Sequence, residues 1–291
     1  MDVQGCSCPS LTSRYLNLYG ATARESHMAS MLQASIARAG RCSSSFYGPT
    51  RLEAIKPSCL RGQPCHFNSS LSPWSKEHVY KKLEKAHTRK FSDGRRAGSL
   101  GNWLSHVSAW QRFSDESNGA EYLLLLEDDA AIHPDFFASL PCQIRRLQRL
   151  ERGSWHVVRF STWGSRHDSD RLDEHDTTST MAPSMIYTAR AHAYDSKNWT
   201  SFAYGGTHAI LLQRSTVASL LAYVLANGAM GTDVALRERT SSSGGGNGRT
   251  SERPLRSFVM FTPLVGVGRQ QFDGWRSLLK PGAAGLQREP G

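Results

Sequence analysis

Five apolar residues in a row, Tyr122-Leu123-Leu124-Leu125-Leu126, run straight into three acids, Glu127-Asp128-Asp129. Alternating residues would leave one face of a strand to water. An unbroken apolar run needs cover on both faces, the situation of an inner strand in a parallel sheet with helices on either side. The acids then stand at the carboxyl end of that strand, where ligands bind in open α/β sheets.

The rest of the chain supplies the matching elements. Tyr15-Leu18 reads as a first strand, and Met28, Met31, Leu32 and Ile36 follow at helical spacing, with Gly40 as a natural stop. Leu100, Trp103, Leu104, Val107 and Trp110 share one face of a second helix, Ser99 to Phe113. Trp155-Ser161 and Thr207-Gln213 read as further strands. Ser215 then caps a helix carrying Val217, Leu220, Leu221, Val224 and Leu225 and ending at Gly228. Ser257-Phe261 is a last strand. His133-Pro134 reads as a helix start. Residues 75 to 90 suit a polar helix, and Pro49 to Pro73, rich in Pro, Cys, Ser and Gly, reads as irregular loop. Strands alternating with helices predict one α/β domain over residues 14–280. Residues 1–13 and 281–291 are expected as flexible ends, and about 164–183 and 240–252 as loop insertions.

Composition narrows the function classes. The 291 residues are 39% hydrophobic, enough for a sizeable core, so neither a disordered nor a fibrous chain is indicated. Lys and Arg outnumber Asp and Glu 35 to 25, a net charge of +10, but the basic residues are scattered singly or in pairs such as Arg95-Arg96 and Arg145-Arg146. That is a solvated basic surface, and nucleic acid is not expected as a partner. Six cysteines (6, 8, 42, 59, 65 and 142) form no C-x-x-C pair, which argues against structural zinc. Cys59 and Cys65 are spaced to close a small loop in an oxidising compartment, though the sequence leaves their pairing open. Two sequons, at Asn68 and Asn198, matter only in a secretory lumen. No apolar run reaches bilayer length, and Met1 to Ser13 lack the form of a signal peptide. The chain reads as soluble as written, whether cytoplasmic or, with an anchor or signal preceding it, lumenal in the endoplasmic reticulum or Golgi.

Three adjacent acids repel one another unless a cation or hydrogen-bond donors compensate them. Carboxylate oxygens suit Mg²⁺ or Mn²⁺, and such ions bridge diphosphates. The segment Tyr122 to Ala130 resembles the acidic motif of glycosyltransferase family 25, which includes bacterial lipooligosaccharide transferases and collagen galactosyltransferases. Three more segments resemble that family in order and spacing. They are Asn17-Leu18 with Arg24 and Met28; Gly98, Gly101, Ser105 and His106 with Trp110; and Gly206-Thr207-His208-Ala209 followed by a helix and Asp233.

The resemblance implies a GT-A-like, Rossmann-related nucleotide-sugar-binding domain with a mostly parallel sheet, a UDP-sugar donor and a divalent cation, Mn²⁺ or Mg²⁺. It implies transfer of a hexose, galactose or glucose, to a hydroxyl of a glycan or protein acceptor, with inversion. Carried over residue by residue, Asp129 is the leading metal ligand, with Asp128 beside it. Asp128 or Glu127 would hold the donor's ribose, its sugar or a metal-bound water, and Arg24 would lie near the base or diphosphate. Asp233 is the candidate base toward the acceptor hydroxyl, the competing role being the N-cap of a helix from Val234 to Arg239. The loop from Tyr19 to Ala23 lacks the charged residues common there in the family.

His106 reads as a core histidine and Ser105 as its packing neighbour, since residues i and i+1 of a helix point apart. His208 reads as an internally bonded strand residue. Two other classes remain: a carboxylate–histidine metallohydrolase built on Asp128, Asp129, His106 and His133, and a non-catalytic glycosyltransferase-like binding module. The hydrolase requires both histidines within metal-bond reach of the acids.

Overall fold

The structure is a computed structural model, and it describes residues 6–18, 20–55, 93–117, 119–151, 155–161, 185–188, 190–191, 206–226, 231–236, 238–239, 255–262 and 264–267. The predicted helix at 75–90, the insertions at 164–183 and 240–252, Cys59, Cys65, both sequons and the tail lie outside these residues.

In chain order the elements are β1 (Leu11–Leu18), α1 (Thr22–Ala37), a 3₁₀ turn (Gly40–Ser45), β2 (Phe46–Ala54), α2 (Asp93–Asp115), β3 (Tyr122–Glu127), β4 (Ala130–Ile132), α3 (Phe136–Glu151), β5 (Val157–Ser161), β6 (Met185–Thr188) and β7 (Arg190–Ala191). They continue with β8 (Ala209–Gln213), α4 (Arg214–Ala226), α5 (Thr232–Ala235), β9 (Glu238–Arg239), β10 (Ser257–Phe261) and β11 (Val265–Val267). Seven strands form one sheet in the order β2-β1-β3-β8-β5-β10-β6. Strands β2, β1, β3, β5 and β10 run one way, and β8 and β6 run the other. The protein is therefore mixed α/β with a mostly parallel central sheet.

The apolar run sits where its sequence requires. β3 is an inner strand, and its side chains alternate between two cores. Tyr122, Leu124 and Leu126 join the layer of α1 and α3, with Met28, Leu32, Phe136, Phe137 and Leu140. Leu123 and Leu125 join that of α2 and α4, with Trp103, Val107, Trp110, Val217 and Leu220. Each such side chain, fully withdrawn from water, contributes on the order of 1.5–3 kcal/mol. Turning the strand over by a one-residue slip would find apolar cover on the other face too, so the ladder hydrogen bonds and the two strand ends fix its register.

Several expectations need correction. The first strand begins at Leu11 rather than Tyr15, and Leu11, Thr12 and Ser13 are buried, so the end expected to be flexible is in part a central strand. Cys6 and Cys8 just before it are disulfide-bonded to Cys142 on α3 and to Cys42 in the 3₁₀ turn. Short spacing offered no sign of either bridge, because both partners are brought in by the fold. Residues 49–54, assigned to the Pro-, Cys-, Ser- and Gly-rich loop, belong instead to β2 (Phe46–Ala54). β2 is an edge strand of the sheet, where a proline breaks no inner ladder. Gly48, just before that proline, has φ of 105° and its missing Cβ would meet the Ser13 carbonyl oxygen at 2.4 Å, so only glycine serves there. The last helix of the site region spans Thr232–Ala235, not Val234 to Arg239, and Arg239 lies in β9.

Candidate active site

The acids arrive at the end of β3 as predicted, and the antiparallel β8 decides what meets them. Because β8 runs against β3, its first residue pairs with the last apolar residue of β3: Leu126 faces Ala209. The residues just before β8 are thereby laid beside Glu127, whose backbone N–H donates to the His208 carbonyl at 2.9 Å. A parallel β8 would have put Thr207 and His208 at the opposite end of the sheet.

Glu127 is the hub. Its Oε1 accepts from Asn102 Nδ2 at 2.9 Å and from Thr207 Oγ1 at 2.5 Å, and lies 3.0 Å from His106 Nε2. Asn102 and His106 are one turn apart on α2, so a single helix face offers both. On the far oxygen, Oε2 lies 3.3 Å from His208 Nδ1. Burial, the largest single influence, pushes the Glu127 carboxyl up. Hydrogen bonds from His106 and His208, the His106 charge and the Thr207 hydroxyl together outweigh it and hold the group well below the ordinary carboxylate range. His106 is thus buried, as expected of a core histidine, but its contact is the acid motif itself.

His208 also lies 3.1 Å from Asp129 Oδ1 through the same Nδ1. Burial disfavours its charged form most strongly, yet the hydrogen bonds and charges of Asp129 and Glu127 prevail and push the imidazole up to about 9. One ligand atom from each of Glu127, Asp129 and His208 can be chosen so that all lie within 4.8 Å of one another. Two carboxylate oxygens and one imidazole nitrogen converging from two strand ends fit a divalent cation.

Asp128 faces the other way. Its Oδ1 accepts from Arg24 Nη1 at 3.2 Å, joining the acid motif to the first turn of α1. Its Oδ2 is buried without a hydrogen-bond partner. Burial raises the Asp128 carboxyl, Arg24 lowers it, and the charges of Asp129 and Glu127 raise it; the net direction is upward. The two acids expected to share a metal are therefore divided, Asp129 toward His208 and Asp128 toward Arg24.

Asp233 stands inside the first turn of the short α5 rather than at its cap, since Ala235 N donates to Gly231 O and Leu236 N to Thr232 O. Its backbone oxygen accepts from Nη1 of the fully buried Arg159 at 3.3 Å. The His133 imidazole meets Asp135: its Nδ1 accepts from Asp135 N and lies 3.7 Å from the Asp135 carboxylate. Among the described residues the group whose ligand atoms converge is Glu127, Asp129 and His208, not the four of the hydrolase centre; His106 faces Glu127 and the His133 ring meets Asp135.

The signal for His208 that sequence reasoning passed over is its position directly before a strand, which matters only once that strand is known to be antiparallel. Thr207 was marked only as part of the Gly206–Ala209 segment that resembles the family, and Asn102 carried no signal by type or spacing.

An α/β sheet with carboxylates and a histidine gathered outside the end of a central strand is the build of an enzyme that handles a ligand at its strand ends. Sequence comparison specifies the kind. Residues 16–234 match the profile described as glycosyltransferase family 25 (LPS biosynthesis protein), and the chain belongs to that family. Among solved structures it is similar to a glycosyltransferase involved in the glycosylation of the major capsid of PBCV-1, at 10% identity and a TM-score of 0.34. That match covers 75% of this chain and 66% of the other, a little under two thirds of its length. No curated protein sequence matches the chain significantly.

Proposed function

We propose that the protein moves a hexose, galactose or glucose, from a UDP-sugar to a hydroxyl of a glycan or protein acceptor, with a divalent cation and with inversion. The observation that carries this reading is the convergence of Glu127, Asp129 and His208 at the end of β3, with Arg24 and Asp128 alongside.

Glu127, Asp129 and His208 would hold the cation. The imidazole tips the preference from Mg²⁺ toward Mn²⁺, since nitrogen donors suit the transition ion better than the strictly oxygen-seeking one. When bound, such an ion offsets negative charge on a departing nucleoside diphosphate. Glu127, with most of its acceptor capacity taken by Asn102, His106 and Thr207, is held in one orientation and holds the cluster in turn. Arg24, exposed at the start of α1 and paired with Asp128, is placed to meet a phosphate or base with its planar fork. Asp233 would accept the proton of the acceptor hydroxyl in a direct displacement. Two disulfides binding the start of β1 to α3 and to the 3₁₀ turn support maturation in an oxidising compartment, the lumenal alternative.

Incubation with UDP-galactose, UDP-glucose and other UDP-sugars, with and without Mn²⁺, tests the reading through release of UDP. Mn²⁺-dependent release from one hexose donor is the expected result. Metal-independent release, or no stabilisation against heating by UDP and Mn²⁺ together, would refute it.

A further inference from the structure

Asn102 makes two hydrogen bonds to segments far apart in the chain. Its Nδ2 donates to Glu127 Oε1 at 2.9 Å, and its Oδ1 accepts from Thr232 Oγ1 at 2.7 Å. Thr232 is buried and is the residue directly before Asp233. One amide on α2 thus ties the carboxylate hub at the end of β3 to the turn that carries Asp233. The geometry points to Asn102 as a positioning residue that sets the placement of Asp233 relative to the Glu127–Asp129–His208 cluster. The inference rests on the reading of Asp233 as the base.

The amide suits this task because both ends are used at once. Glu127 offers only acceptors and the Thr232 hydroxyl donates, so the bridging group must donate at one end and accept at the other. Asparagine does this within one planar unit, whereas aspartate would set two carboxylates against each other. The turn is also held from other sides. Arg159 donates to the Asp233 carbonyl, and Ser257 Oγ donates to the Leu236 carbonyl at 2.5 Å. Those two contacts fix the turn to β5 and β10, while the Asn102–Thr232 bond alone among the three refers it to the acid motif. A base displaced by about 1 Å from its reacting proton can lose on the order of 100-fold in rate. A bond that fixes this distance therefore acts on turnover more than on donor binding.

Thr232→Val removes the hydroxyl at nearly constant volume and leaves the Asn102–Glu127 bond intact; Thr232→Ser restores the donor. Asn102→Ala breaks both ends. The probe reaction is Mn²⁺-dependent hydrolysis of whichever of UDP-galactose and UDP-glucose the wild type cleaves faster, with UDP affinity measured by calorimetry. Hydrogen exchange over residues 231–236 reports on the turn, through the Ala235 and Leu236 amides. Thr232→Val and Asn102→Ala are expected to lower kcat by roughly 10- to 100-fold with UDP affinity within about threefold. Exchange across 231–236 should quicken in both, Thr232→Ser should recover most of the rate, and the double variant should be no slower than Asn102→Ala, because the two act through one link. Wild-type kcat and exchange in Thr232→Val would overturn the inference, as would losses that simply multiply in the double variant. Asp233→Asn, measured alongside, separates the two readings. If it is inactive while Thr232→Val is normal, the base stands and the link falls; if it retains full rate, the base reading falls and takes the link with it.

Discussion

His208 presents Nδ1 to the Asp129 carboxylate at 3.1 Å, while Gly206, two residues before it, leaves room for the other edge of the ring. A Cβ at Gly206 would lie 2.5 Å from His208 Nε2, closer than atoms tolerate. The imidazole is therefore held between an acid that orients it and a glycine that makes space.

Gly206→Ala should displace the His208 ring, the softer of the two clashing partners. Mn²⁺ affinity should fall by about 10- to 100-fold, the range seen when a ligand's orientation is disturbed. Gly98→Ala, where a Cβ meets nothing within 4 Å, is the matching control and should leave metal binding unchanged. Calorimetric titration of both variants checks this, and equal affinities would exclude His208 as a ligand.

Proton release should accompany metal binding. In the metal-free protein the neighbouring acids push His208 up to about 9, so near pH 7 its imidazole carries a proton that a cation must displace. The sign follows: Mn²⁺ affinity rises with pH, by roughly tenfold per unit between pH 6.5 and 8.5, and levels off above about 9. Titrations in buffers of different ionisation enthalpy would count the protons released. Without metal the stabilising contribution of charged His208 runs the other way, being complete below about 6.5 and lost as pH rises through 9.

Asp129→Ala should abolish Mn²⁺-dependent UDP release yet change metal-free stability by no more than about 1 kcal/mol. The loss of the His208 contact is set against relief of repulsion at Asp128, whose carboxyl is raised in part by the Asp129 charge. Activity assays beside a denaturant melt are sufficient, and unchanged turnover would remove Asp129 from the site.

Much of this was legible in sequence because it is local. The apolar run of β3, the Trp103–Val107–Trp110 face of α2 and the Met28–Leu32 face of α1 declare themselves by periodicity, and the acids are placed by following β3 directly. What was not legible depends on pairings between distant segments. The direction of β8 decides that His208 meets Asp129, 79 residues earlier, and nothing within β8 encodes that direction. The edge position of β2, which makes Pro49 harmless, and the bridge from Cys6 to Cys142 are likewise products of the assembled sheet and its neighbours. Periodicity could locate Asn102 on the helix but not its bond to Thr232, 130 residues away.

Acid should weaken the fold at the end of the sheet remote from the site. Arg14, on β1 and almost wholly buried, pairs with Glu116, which also accepts from Arg112 Nε at 3.0 Å. Burial, the largest influence, raises the Glu116 carboxyl, but the hydrogen bonds and charges of Arg14 and Arg112 outweigh it and hold it below the usual value. A lowered folded-state pKa means that this stabilisation is fully present above the unfolded value, about 4.3, and is lost as pH falls through the folded one. His156 adds to the trend, since burial holds its imidazole down while Nδ1 accepts from Arg256 N, and charging it on acidification opposes folding. Glu116→Gln separates the pair from other acid effects. At pH 7 it leaves the Arg14 charge buried without its counter-charge and should cost about 3 kcal/mol in urea unfolding. As pH falls through the lowered folded-state value the wild type loses the same interaction, so the gap between the two proteins should narrow. Replacing both partners, as Arg14→Met with Glu116→Gln, removes the stranded charge and should recover most of the loss at pH 7. A gap that stays constant through the whole acid limb of the unfolding curve would show that Glu116 does not titrate with folding.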